Sequence, residues 1–190
     1  MSANLPEKAE RVIEDTAARQ SFIVRSIWFT VPGAYMIIGA AYAILPPLNG
    51  LEEESARLLL AIRWLLVAML PYVAVCMAIL SARLFEGPHN PLLAGESERL
   101  KIQCRVMQNT LEQLVWFALC VLAVSTYLSP AQARLVPIVC TFFAGARIVY
   151  WWGYFRDGTL GRAPGVQLTF ALNIFLLVLA LILFAKNLVW

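Results

Sequence analysis

Charge is scarce in this chain. Only 14% of its 190 residues are Asp, Glu, Lys or Arg, about half of what a soluble globular domain carries, so a domain with a fully solvated surface is excluded. The net charge is only +3, and no nucleic-acid partner is expected. Histidine is almost absent: His89 is the only one, in the segment Gly87-Pro88-His89-Asn90-Pro91, and without a second imidazole it reads as a solvated loop residue. The four cysteines, Cys76, Cys104, Cys120 and Cys140, contain no Cys-x-x-Cys pair and read as small core hydrophobes. Cys104 differs in standing beside Arg105, where a cation can lower a thiol pKa. A removable signal is also missing, because Glu7, Glu10, Glu14 and Asp15 mix with Lys8, Arg11 and Arg19 ahead of the first apolar run, which is expected to stay as a helix.

What the chain has in place of charge is apolar length. Apolar residues make up 61% and the mean hydropathy is +0.71. A hydrocarbon core about 30 Å thick needs about 20 mostly apolar residues per helix. Five stretches meet that need, at about 22–46, 58–84, 108–128, 135–155 and 166–185. Runs such as Ile174 to Phe184 are apolar all round, whereas barrel strands would alternate, so an all-α integral membrane bundle is predicted. Residues 5–20 carry a weak helical pattern that fits either a surface helix or a solvated tail.

Basic residues set the expected orientation. With five spans, Lys8, Arg11, Arg19, Arg25, Arg83, Arg99, Lys101, Arg105, Arg147, Arg156 and Arg162 share one side, against Arg57, Arg63, Arg134 and Lys186 on the other. The N-terminus and the loops Leu84–Cys104 and Phe155–Gly165 are therefore expected to be cytoplasmic, with the C-terminus opposite.

Polar residues at the ends of these spans carry the functional signal. Arg105, Asn109 and Glu112 stand at intervals of four and three, which places them on one helical face at the start of the third span. A charge at membrane depth costs roughly 2.5 to 3.5 kcal/mol on insertion scales, so such a residue is a functional candidate by default. Arg147, Tyr150, Trp151 and Tyr154 form a similar stripe at the cytoplasmic end of the fourth span, followed by Gly153, Arg156 and Arg162. The second span ends with Arg83 at the same depth. A structural explanation competes: Arg105 or Arg147 pairs with Glu112 to lock two helices, and the tyrosines and tryptophans form a headgroup belt. Yet one carboxylate cannot neutralise Arg83, Arg105, Arg147, Arg156 and Arg162, and such a cationic excess suits a small anionic ligand gripped by guanidinium forks. The clustering of charge at one face argues against a transporter or channel.

These residues resemble the membrane-associated proteins in eicosanoid and glutathione metabolism, the MAPEG family. The resemblance rests on Arg105-x-x-x-Asn109-x-x-Glu112 opening one span and Arg147-x-x-Tyr150-x-x-Gly153-Tyr154 closing the next, with Arg83 before and Arg162 after, and it covers roughly residues 60–188. It implies a four-helix MAPEG-like core over 58–188, with 22–46 an extra transmembrane helix and 1–21 a cytoplasmic tail. It also implies a homotrimer binding glutathione between subunits near the cytoplasmic face, and a lipophilic substrate or lipid arriving from the bilayer. By position, Arg83, Arg105, Asn109, Glu112, Tyr150 and Tyr154 would hold the tripeptide, with Arg147 supporting the pocket. Glu112 would take the amino group and the arginines the carboxylates.

The chemistry is less uniform. Leu84 stands where the leukotriene-forming branch has a second, catalytic arginine. Met107 replaces the usual Gln or His, and Gln113 the Tyr after the motif Glu. That branch's mechanism therefore does not carry over. Arg162, in Gly161-Arg162-Ala163-Pro164, resembles the arginine after the third helix of microsomal glutathione transferases and is the thiolate-stabilising candidate; contact with lipid headgroups is the competing role. A glutathione transferase or peroxidase acting on a lipophilic electrophile is thus expected, with a non-catalytic scaffold or regulator of the same fold as the alternative.

Overall fold

A computed structural model describes residues 7–86 and 97–188, with side chains over 17–85 and 97–188. His89 lies outside the described residues. Five helices follow one another: α1 (Glu7–Ile44), α2 (Glu54–Glu86), α3 (Glu98–Tyr127), α4 (Leu135–Gly161) and α5 (Ala163–Leu188). All five contain a segment long and apolar enough to cross a membrane, and no strand occurs among the described residues. The protein is an all-α, multi-pass integral membrane protein.

Several helices extend past the apolar runs that announce them. α3 starts at Glu98, where the Ser97 side chain accepts the Leu100 N–H at 3.2 Å and so satisfies one donor of its first turn. α1 runs for 38 residues, about 57 Å at 1.5 Å per residue, well beyond the thickness of a hydrocarbon core. No proline or glycine precedes Pro32 in it, and the helix continues through Pro32-Gly33.

The bundle core is built from α2, α3, α4 and α5, with Phe117 of α3 stacked on Phe143 of α4 at 4.3 Å between ring centres. Val121, Val124, Val139, Cys140, Leu172 and Leu176 fill in around that pair. Outward faces carry large exposed apolar side chains, Trp28, Phe29 and Leu119 among them. Lipid solvates such faces, so packing contacts and internal hydrogen bonds hold the helices together more than apolar burial does. Buried Asn173 of α5 donates to the Gln113 side chain of α3 at 2.9 Å. Gly165 lets α5 approach the Tyr150 backbone so closely that a methyl group there would overlap it.

Among the described residues, α1 lies against α4 and α5 and stands clear of α2 and α3. Gln167 of α5 donates to the Ile23 carbonyl at 3.0 Å and to Ser26 Oγ at 2.8 Å, and the Tyr35 hydroxyl donates to the Ala171 carbonyl at 3.2 Å. Near the other end of α1, Arg134 donates to the Leu45 carbonyl at 2.6 Å and covers the Tyr42 ring at 4.2 Å.

A cationic groove between α3 and α4

The two polar stripes meet. α3 and α4 pack so that Arg105, Asn109 and Glu112 line a groove of about 250 Å³ together with Tyr150 and Tyr154, and Thr159 and Arg162 line it too. The turn between α4 and α5 places those last two residues. Asp157 leaves helical geometry, and Gly158 adopts φ +58° and ψ −130°, a conformation that side chains other than glycine's rarely tolerate. Immediately after it the chain folds back, bringing Gly161 against Gly153; a methyl on Gly153 would overlap the Gly161 carbonyl. Arg162 is thereby carried to 4.9 Å from the Tyr154 ring centre.

The hydrogen bonds sort the arginines into two kinds. Arg147 is 1% exposed and sits behind the groove, donating to Asn109 Oδ1 at 2.9 Å and Thr169 Oγ1 at 3.3 Å while lying on the Tyr150 ring at 4.1 Å. Its Nε is buried without a hydrogen-bond partner. Arg105 is exposed and makes a long contact of 3.5 Å with the Tyr154 hydroxyl. Glu112 is exposed as well and accepts from Gln108 Nε2 at 3.2 Å. The Arg–Glu lock expected as the structural explanation does not form, because the buried guanidinium takes neutral partners and Glu112 stays outside. Among the described residues, none of Arg105, Arg147, Arg162 and Glu112 is in an ion pair.

The groove thus presents two guanidinium groups and one carboxylate, all open to a ligand, over a floor with a third, buried cation. Arg83 does not line it; it is half-buried at the end of α2. Leu84 beside it is exposed. Gln113 faces away, buried against Asn173, and Met107 packs beside the apolar cluster of Val106 and Tyr150. Gln108 and Thr159 line the groove without having stood out in the sequence. Gln108 carried a usable signal, since it lies three residues after Arg105 and four before Glu112, on the same face. Thr159 carried none, because its place depends on the turn at Gly158.

The profile of the MAPEG family matches residues 60–182, which is more than half of the 190-residue chain. The chain belongs to the MAPEG family. It is therefore a membrane protein of the group concerned with glutathione and eicosanoid metabolism. The match takes in all of the groove and most of α2 and α5, while α1 lies outside it. No curated protein matches the chain.

Proposed function

We propose that this MAPEG protein binds glutathione in the groove between α3 and α4 and uses it to conjugate or reduce a lipophilic electrophile. One observation carries the reading: the exposed Arg105, the half-buried Arg162 and the exposed carboxylate of Glu112 line a single groove without pairing with one another. Glutathione has the complementary charges, two carboxylates and one ammonium. Arg105 and Arg162 are suited to the carboxylates or the thiolate, and Glu112 to the ammonium. Asn109, held by Arg147, and the hydroxyls of Tyr150 and Tyr154 supply neutral polar contacts.

Conjugation needs the thiolate, because the thiol itself is a poor nucleophile. Arg162 lines the groove on an aromatic face, where its charge favours an anionic sulfur. The carbon–sulfur bond forms as the leaving group departs with its electron pair. Arg83 is half-buried at the same end of the bundle but outside the groove, which fits a role at the groove of a neighbouring subunit in a homotrimer. The distribution of lysine and arginine supports an orientation with the N-terminus and the groove on the cytoplasmic side and the C-terminus opposite. A scaffold that keeps the ligand without the chemistry is the second reading, and it is favoured by Leu84, which offers no guanidinium at the position where the leukotriene-forming branch has one.

Isothermal titration of detergent-purified protein with glutathione, beside an Arg105→Ala, Glu112→Ala double variant, tests the binding. Saturable heat in the parent that vanishes in the variant supports the reading, and no heat at millimolar ligand from a folded protein removes it. Arg162→Ala then separates the classes: an enzyme loses turnover of an aryl halide while still binding glutathione, and a scaffold shows no turnover to lose.

A further inference from the structure

A second cleft lies at the end of the bundle away from the groove. Because α1 stands clear of α2, a trough of about 790 Å³ remains between the last turns of α1 and the first turns of α2 and α4. Its walls are apolar, with Leu60, Trp64, Ile138 and Phe142 prominent, and apart from the Trp64 indole their only polar side chain is Thr141. Leu48 and Leu60 also bound an adjoining recess of about 400 Å³, which contains Asn49 and Arg63. An apolar trough running into a recess with a guanidinium and a carboxamide is divided as an amphiphile is.

Arg63 decides what the recess would hold. It lies nine residues into α2, about 14 Å along the helix, between Ile62 and Trp64. Its side chain is exposed and makes no hydrogen bond or ion pair with the described residues. The other arginines at this end are engaged: Arg57 donates to the Leu51 and Glu52 carbonyls at 3.0 and 2.9 Å, and Arg134 holds Leu45 and Tyr42. Of the nearby acids, Glu53 accepts from Ser55 at 3.1 Å, and Glu52, Glu53 and Glu54 all precede the apolar part of α2. A guanidinium on a lipid-facing helix reaches toward the headgroups and takes an anion with paired oxygens, and the anion a membrane supplies at that depth is phosphate.

We propose that the trough and recess form a binding site for one glycerophospholipid per subunit, with its phosphate at Arg63 and one acyl chain along Trp64, Ile138 and Phe142. The proposal is independent of glutathione and involves none of the groove residues.

Native mass spectrometry of the full chain, delipidated in detergent and titrated with palmitoyl-oleoyl phosphatidylglycerol, tests it. One lipid retained per subunit is expected, with Arg63→Gln lowering affinity about tenfold, the loss of one charge-assisted contact. Thr141→Trp, which fills the trough, should do the same through the chain. Diacylglycerol with identical chains should bind no better than the phospholipid binds Arg63→Gln. Neither variant endangers the fold, since Arg63 has no partner to lose among the described residues and Thr141 is exposed. Unchanged binding by Arg63→Gln, equal binding of diacylglycerol, or no lipid on the parent because a second copy closes the trough would each overturn the proposal.

Discussion

Arg147 and Glu112 show how differently two charges can be accommodated near lipid. The buried guanidinium of Arg147 is held by Asn109, Thr169 and the Tyr150 ring, so removing it leaves those groups unmatched inside the bundle. Arg147→Met should therefore lower unfolding stability by about 2 kcal/mol, the scale of lost charged hydrogen bonds, measured by denaturant titration in detergent micelles. Glu112→Gln touches an exposed side chain with one partner, Gln108, and should leave stability within about 0.5 kcal/mol. Its effect belongs to the ligand: glutathione affinity should fall about tenfold or more as the ammonium loses its counter-charge, read by titration calorimetry. Equal, mild effects of both substitutions on both measurements would remove this division of roles. The residues themselves were largely legible, since helical spacing alone placed Arg105, Asn109 and Glu112 on one face and Tyr150 and Tyr154 on another. What spacing could not show was which side of a stripe points inward. Arg147 belongs to the same stripe as Tyr150 and Tyr154, yet its guanidinium is sealed behind the groove.

The turn between α4 and α5 is the element on which the groove's shape depends. Gly158 is held at φ +58° and ψ −130°, and Gly153 touches Gly161 with no room for a side chain. Gly158→Ala should cost about 1 to 3 kcal/mol, because an L-residue in this conformation is strained. If the turn relaxes to relieve that strain, Thr159 and Arg162 move away from Tyr154. Glutathione affinity should then drop alongside stability, whereas a substitution of equal stability cost in the distant core, such as Val139→Ala, should spare it. A Gly158→Ala protein with full stability and full affinity would show that the turn sets neither. Five helices were readable from apolar length, because each core-spanning run is long and mostly apolar. Their ends were not, since polar residues such as Glu98 and Lys101 extend α3 by a capped, solvated stretch that hydropathy does not register. The close return at Gly153 and Gly161 was equally hidden, because their contact is made by backbones.

At the scale of the molecule, α1 is the one helix that lies wholly outside the family match, and its packing says what it contributes. Among the described residues, none that lines the groove comes from α1, and the contacts of α1 fall on α4 and α5 through Gln167, Tyr35 and Arg134. Interhelical hydrogen bonds inside membranes are worth about 0.6 kcal/mol each on average, so the polar contacts of α1 contribute only a few kcal/mol, added to its apolar packing. Gln167→Leu removes two of them and should lower the melting temperature modestly without detaching the helix. A chain lacking residues 1–46 should still form the four-helix bundle, because the aromatic and aliphatic core centred on Phe117 and Phe143 draws almost wholly on α2 to α5. It should melt earlier than the full chain, yet bind glutathione within about twofold, since no described residue of α1 lines the groove and distant changes act independently. Calorimetry and thermal melting on the same preparation check both halves. A truncated protein that stays folded but loses glutathione would mean that α1 reaches the groove of a neighbouring subunit, and the site would then have to be drawn with three chains and fifteen helices in place of one bundle.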